Sequence, residues 1–163
     1  MARRRLVMQE ADSGKTPVHS VTVSRIIHAS AEALYAAWTD RAAMERWMGK
    51  VVQVVPRIGG RYRIEHDAGN GQVYVHKGEY RVLEPGRRIV QTFAAGPADR
   101  EPLEEAAPQN GEFVELRLHP IGDDRTEITL TNGWNGAALD AEGMAAIEQA
   151  WTHWLELLDR SMT

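Results

Sequence analysis

His66 and His76 flank a turn cluster that runs from Asp67 to Gly71. A free imidazole titrates near ~6.5, so either could move a proton, and two of them with a carboxylate can bind zinc. If the flanking segments are strands, side chains alternate between faces with period 2. Tyr62, Ile64 and His66 then share one face of the first strand, and Tyr74, His76, Tyr80 and Val82 one face of the next. Glu65 and Glu79 fall on the opposite face, and the amide of Asn132 is a weak zinc ligand, so no metal and no cofactor is expected. Ile89, Gln91 and Phe93 extend the same wall on a returning strand, with Leu116 and Asn132 beyond them. Trp47, Trp134 and Trp154 are candidates for the rim of a pocket mouth, whereas Trp38 and Trp151 read as packing residues. A mostly apolar wall with a few aimed polar groups is what a small-ligand site requires. The plainer alternative is a core whose polar tips satisfy one another.

Other chemistries find no residues to carry them. The chain has no cysteine, which excludes disulfides, thiol catalysis and cysteine metal sites. No serine sits in a Gly-x-Ser-x-Gly elbow. Gly59-Gly60 lacks the Lys-Ser/Thr partner of a phosphate loop and precedes no helix, so it reads as a tight turn or bulge. No catalytic residue is assigned. Any activity is expected to be acid–base work by His66 or His76, with a pH–rate inflection near ~6–7.

At 163 residues one domain is expected, and such a chain buries roughly two-thirds of its unfolded surface. Net charge is −4, with basic residues dispersed after residue 5, which argues against a nucleic-acid partner. Arg3, Arg4 and Arg5 resemble the start of a secretory signal, but no apolar run follows them, and no segment approaches the ~20 apolar residues of a membrane span. A cytoplasmic location is expected. Residues 1–17, which include Asp12, Ser13, Gly14 and Pro17, read as a flexible arm, and residues 18–163 as the domain.

The elements that must position the candidate residues follow from periodicity and punctuation. Val18–Ile27 is β-rich. Ser30 and Asp40 can cap two short helices carrying Leu34, Trp38, Met44, Trp47 and Met48, the second ended by Gly49. Strands are expected at Val51–Val55, Gly60–His66, Gln72–Leu83, Arg88–Phe93, Phe113–Ile121 and Arg125–Thr131, joined as an antiparallel meander. Residues 94–112 carry three prolines, two glycines and the acids Glu101, Glu104 and Glu105, and read as a long loop; with residues 1–16, its stretch 97–110 is expected to be least ordered. A last helix starts near Asp140 and carries an apolar stripe of Met144, Ile147, Trp151, Trp154, Leu155 and Leu158, with His153 on its outer side. A curved sheet needs a cover, and this helix is the large element left to supply it. The fold class is therefore α+β, with the sheet wrapped around the last helix and a cavity between them.

Several stretches together resemble a known family. They are Val23-Ser24-Arg25-Ile26-Ile27, Ala29-Ser30-Ala31-Glu32, Ala37-Trp38-Thr39-Asp40, Arg46-Trp47, Gly59-Gly60-Arg61-Tyr62-Arg63, Gly78-Glu79-Tyr80 and Glu84-Pro85. The chain resembles the bacterial proteins named for their likeness to the activator of the heat-shock-protein-90 ATPase, within the START-like, birch-pollen-allergen (SRPBCC) superfamily. That resemblance covers about residues 20–160 and implies the helix-grip fold. It implies no shared catalytic residues. Three function classes follow: binding of a small, largely apolar molecule; a cavity enzyme of the cyclase, aromatase or hydrolase type; and a co-chaperone-like partner of another protein. A homodimer is compatible with all three.

Overall fold

The computed structural model describes residues 19–67, 69–98 and 111–163. The arm at residues 1–17 and the acids Glu101, Glu104 and Glu105 lie outside them. The chain runs β1 (His19–Ile27), α1 (Ala31–Thr39), α2 (Arg41–Glu45), β2 (Lys50–Val54), β3 (Arg61–Asp67), β4 (Val73–Glu84), β5 (Arg88–Thr92), β6 (Ala94–Pro97), β7 (Phe113–Gly122), β8 (Arg125–Trp134) and α3 (Ala141–Ser161). The helix starts are set by side-chain caps as the sequence suggests. Ser30 Oγ accepts from the Ala33 amide at 3.1 Å, Asp40 Oδ2 from Ala43 at 3.1 Å, and Asp140 Oδ1 from Gly143 at 2.8 Å.

The strands form one antiparallel sheet in the order β1-β8-β7-β5-β4-β3-β2, with β6 paired to β4. β4 is long enough to be shared. Along one edge it pairs with β3; along the other, Tyr80–Glu84 pair with β5 and Tyr74–Lys77 with β6. The stretch expected to be all loop from residue 94 therefore begins as a strand. Its glycine and proline mask a segment that a neighbouring edge recruits by backbone bonds, which need no particular side chains.

A register shift lies between Tyr80 and Val82. It reverses the face of everything beyond it. Val82, expected beside Tyr80, instead packs against Val90 and Phe113, while Leu83 joins the main core. The Gly59-Gly60 turn is stitched to the same place. The Gly59 amide donates to the Tyr80 carbonyl at 2.8 Å, and the Tyr80 amide to Gly60 at 2.9 Å. A Cβ on Gly60 would strike the Val55 carbonyl, so glycine is needed there for close approach.

The main core lies between the concave face of the sheet and the helices. Ile27, Leu34, Met44, Ile89, Val114, Leu116, Ile128 and Leu130 are closed off there together with Leu155 and Leu158 of α3. The stripe of α3 is buried unevenly. Trp151, Leu155 and Leu158 are buried, whereas Met144 and Ile147 are only half covered and Ala145, Ala146 and Ala150 are exposed. The lower half of the helix is clamped at its side by Arg25 of β1, whose Nε donates to Asp159 Oδ2 at 2.9 Å. This is the helix-grip arrangement. On the opposite face of the sheet, Arg88 and Glu115 form a buried pair at 2.8 Å beside Val90 and Phe113. Among the described residues no helix is long and apolar enough to cross a membrane.

Candidate functional site

A cavity opens between α1, the turn after α2, strands β3 to β5 and α3. Its walls are Trp38, Trp47, Met48, Tyr62, Ile64, His76, Gln91, Phe93, Trp151 and Trp154. Strand alternation brings Tyr62 and Ile64 of β3, His76 of β4 and Gln91 of β5 to this face, as their parity predicts. Helical spacing brings Trp151 and Trp154 down from α3. The rings meet edge to face: Trp38 on Trp47 with centroids 5.0 Å apart, and Trp47 on Trp154 at 5.8 Å. Phe93 meets Trp151 at 5.3 Å.

The indoles fill most of the space. The cavity volume is about 20 Å³. That is room for roughly one water-sized sphere, far below the ~300–1,000 Å³ of sites for drug-sized ligands. The ligand-sized cavity expected from the sequence is thus closed down in this structure, because Trp38 and Trp151, expected to pack elsewhere, converge there with the rim candidates Trp47 and Trp154.

The candidate residues separate into those the fold brings to the cavity and those it does not. Tyr62, Ile64, His76, Gln91, Phe93, Trp47 and Trp154 line it. His66 stands just outside, against His76 and Trp154. Tyr74 lies further out, its ring against His66 at 6.1 Å. Tyr80 faces the core and is fully buried, its hydroxyl donating to the Trp38 carbonyl at 2.7 Å. Leu116 is closed off in the core beneath the cavity. Asn132 acts one layer back: it accepts from Trp151 Nε1 at 3.0 Å and donates to the Phe113 carbonyl at 3.0 Å. Trp134 packs at the end of β8 against His19 and donates to the Ala137 carbonyl. Trp38, Met48 and Trp151, assigned to packing or not singled out, do line the cavity. For Trp38 and Trp151 the apolar helix face was legible, but a face that packs and a face that lines a void carry the same pattern. His153 is exposed, as its helical position implies.

Charge is absent from the walls. His76 is pushed down to about 4, first by burial and then by the nearby His66. Burial also lowers His66, opposed by the Asp67 backbone and carboxylate, which favour a proton on it. The two rings meet through Nε2 to Nε2 at 3.3 Å. Burial raises the Tyr62 and Tyr80 hydroxyls, Tyr62 with a smaller contribution from Tyr80. The Tyr62 hydroxyl donates to the Thr92 carbonyl at 2.7 Å, and the neighbouring Gln91 side chain partly offsets the rise. Trp38 Nε1 is buried without a hydrogen-bond partner. The site therefore presents neutral donors and acceptors on aromatic walls. A His76 that stays neutral down to about 4 does not support the base titrating near ~6–7 that the sequence suggested, since desolvation outweighs its ordinary basicity. Glu65 and Glu79 lie on the other face, bonded to Arg63 and Arg81. Among the described residues no three metal-ligating side chains converge.

An antiparallel sheet gripping a long C-terminal helix over an aromatic cavity defines a helix-grip protein of the START-like class. The chain belongs to the family described as Activator of Hsp90 ATPase homolog 1-like protein, whose model matches residues 28–163. No curated protein matches it. Among solved structures it is similar to protein CV1439 from Chromobacterium violaceum, with 21% identity, a TM-score of 0.67, and 88% of this chain and 96% of that one covered. It is similar also to the Aha1 protein of Colwellia psychrerythraea, solved as a dimer in solution, with 18% identity, a TM-score of 0.65 and coverage of 89% and 96%. DynU16, a putative protein in the dynemicin biosynthetic locus, matches with 21% identity and a TM-score of 0.64 over 88% of this chain and 47% of that one. At these identities the likeness is one of fold.

Proposed function

We propose that the protein binds a small, neutral, largely apolar molecule, without covalent chemistry, in the cavity between sheet and α3. The observation that carries this reading is the composition of the walls. Aromatic rings are joined by the uncharged polar groups His76 and Gln91, and by no charged side chain. Because the cavity is water-sized at rest, binding requires Trp154, the half-exposed member of the set, to swing outward. Residues 18–163 act in this reading as one domain, in the cytoplasm. A homodimer belongs to the proposal too, supported by the dimeric state of the Colwellia protein.

The test is titration of the native protein with the neutral probe N-phenyl-1-naphthylamine, read by probe emission and tryptophan quenching. Binding near one-to-one is expected, with a faster on-rate in Trp154→Ala, which removes the ring that closes the mouth. Absence of binding to native protein, or binding only when acid has loosened the fold, would overturn the reading. Native mass spectrometry of freshly purified protein gives an independent check through a retained small molecule.

A further inference from the structure

We infer that β1 is the self-association surface of this protein: its free edge pairs antiparallel with the β1 of a second copy, about a twofold axis at Val23, and joins two sheets into one. This rests on the homodimeric reading and deepens it by naming the surface.

An antiparallel sheet ends in edge strands whose outward N–H and C=O groups invite another strand. Among the described residues the sheet has three such edges, at β2, β6 and β1. Two of them are guarded. β2 has five residues, opens on Lys50 and is bulged between Val51 and Gln53. Side chains of α2 also occupy its backbone: Arg41 Nη1 donates to the Val51 carbonyl, and Glu45 Oε2 accepts from the Val51 amide at 3.2 Å. β6 has four residues and ends in Pro97, which has no amide to offer.

β1 carries none of these guards. Its nine residues include no lysine and no proline, and they pair with β8 without a break from His19 to Ile27. The Ile27 carbonyl accepts from the Ala29 amide at 2.9 Å. Among the described residues, the other backbone groups of β1 find bonds only from β8. Backbone groups of an antiparallel strand point alternately to either side, so about half of those of β1 face outward unpaired.

The strand suits a copy of itself. A twofold axis normal to the sheet sets two copies of one strand antiparallel and forms each contact twice. Centred on Val23, it pairs the whole strand. Thr22 and Ser20, exposed on the outer face, then meet the partner's Ser24 and the partner's Ile26. Arg25, the strand's single charged side chain, is already tied to Asp159 at 2.9 Å and meets the partner's Val21. No like charges therefore face each other across the pair, which matters for a chain of net charge −4. A strand of nine residues is ~30 Å long and a sheet edge ~10 Å thick, so the contact covers on the order of 300 Å² per copy. That is below the ~800 Å² of a standard interface, so the dimer is weak and reversible.

Sedimentation equilibrium of the native protein, from micromolar to millimolar concentration, should show a monomer–dimer equilibrium. Over the same range, alternate amides of β1 should gain protection from hydrogen exchange, while those of β2 should not change. Thr22→Lys/Ser24→Lys sets cations against cations at both symmetric positions and should weaken the dimer about tenfold or more. Thr22→Lys/Ser24→Glu sets opposite charges across the same pairs and should restore it. Gln53→Lys, on the β2 edge, should leave association unchanged. A chain that stays monomeric at millimolar concentration overturns both this inference and the homodimeric reading, and leaves ligand binding untouched. A dimer whose β1 amides exchange as fast as in the monomer, or one that survives Thr22→Lys/Ser24→Lys, overturns this inference alone. So do β1 amides that are all protected in dilute monomer, since the chain itself then covers the edge. Exchange is read on native protein, so the surface is decided even where a substitution does not fold.

Discussion

The indole N–H of Trp151 donates to Oδ1 of Asn132 over 3.0 Å, tying the middle of α3 to β8 behind the cavity wall. Asn132 Nδ2 in turn donates to the Phe113 carbonyl and to Glu112 Oε2, so its polar groups are engaged on both sides. Trp151→Ala removes a large ring, opens a void and leaves the Asn132 oxygen unmet. A loss of about 3–5 kcal/mol is expected, against about 1–2 kcal/mol for Trp151→Phe, which keeps most of the volume. Urea melts of the two variants measure it, and equal losses would show that the hydrogen bond rather than packing dominates.

Acid should weaken the fold through His76. Its folded pKa of about 4 lies below the ~6.5 of an unfolded imidazole, so the unfolded chain takes up the proton first as pH falls. This contribution to stability is complete above ~6.5, is lost progressively between there and about 4, and changes no further below. Its ceiling is on the order of 3 kcal/mol. His66 acts in the same direction. Denaturant melts from pH 7.5 to 4 should show native protein losing more stability than His76→Gln over that window; parallel curves would rule the mechanism out.

Tyr80→Phe should act on stability and not on ligand choice. Its hydroxyl meets the Trp38 carbonyl inside the core, away from the cavity. Loss of that donor should cost about 1–3 kcal/mol in thermal or urea melts, with the affinity for N-phenyl-1-naphthylamine unchanged.

Gly78 of β4 lies against Thr92, and a Cβ there would run into the Thr92 carbonyl and crowd its hydroxyl. The same carbonyl accepts from Tyr62, and the same hydroxyl from the Glu79 amide. Gly78→Ala should therefore destabilise by about 1–3 kcal/mol or more and disturb Tyr62 at the cavity wall. Amide exchange would show faster opening of β4 against β5.

Arg88 and Glu115 are each only 6% exposed at the side chain and meet at 2.8 Å. Glu115→Ala leaves the buried cation only the more exposed Glu84 carboxylate at 3.9 Å and also removes a partner of Arg117, and should cost about 3–5 kcal/mol, whereas replacing both Arg88 and Glu115 by leucine should cost less. A double-mutant cycle separates the outcomes: additive losses would mean that the pair is not coupled.

The order of elements, the caps at Ser30, Asp40 and Asp140, the core faces of β7 and β8 and the stripe of α3 were determined by local sequence, because each depends on a repeat or a spacing within one segment. The same logic placed Tyr62, Ile64, His76 and Gln91 on one wall. Tertiary structure decided the rest. The shift after Tyr80 turned Val82 to the opposite face, and the edge of β4 drew Ala94–Pro97 into the sheet. Apolar faces of α1 and α3 could have been solid core; whether Trp38 and Trp151 border a void depends on how four indoles meet across the sheet. The neutral state of His76 also belongs to the fold alone, since it comes from burial and from a second imidazole 3.3 Å away, and neither is written in the spacing of the residues.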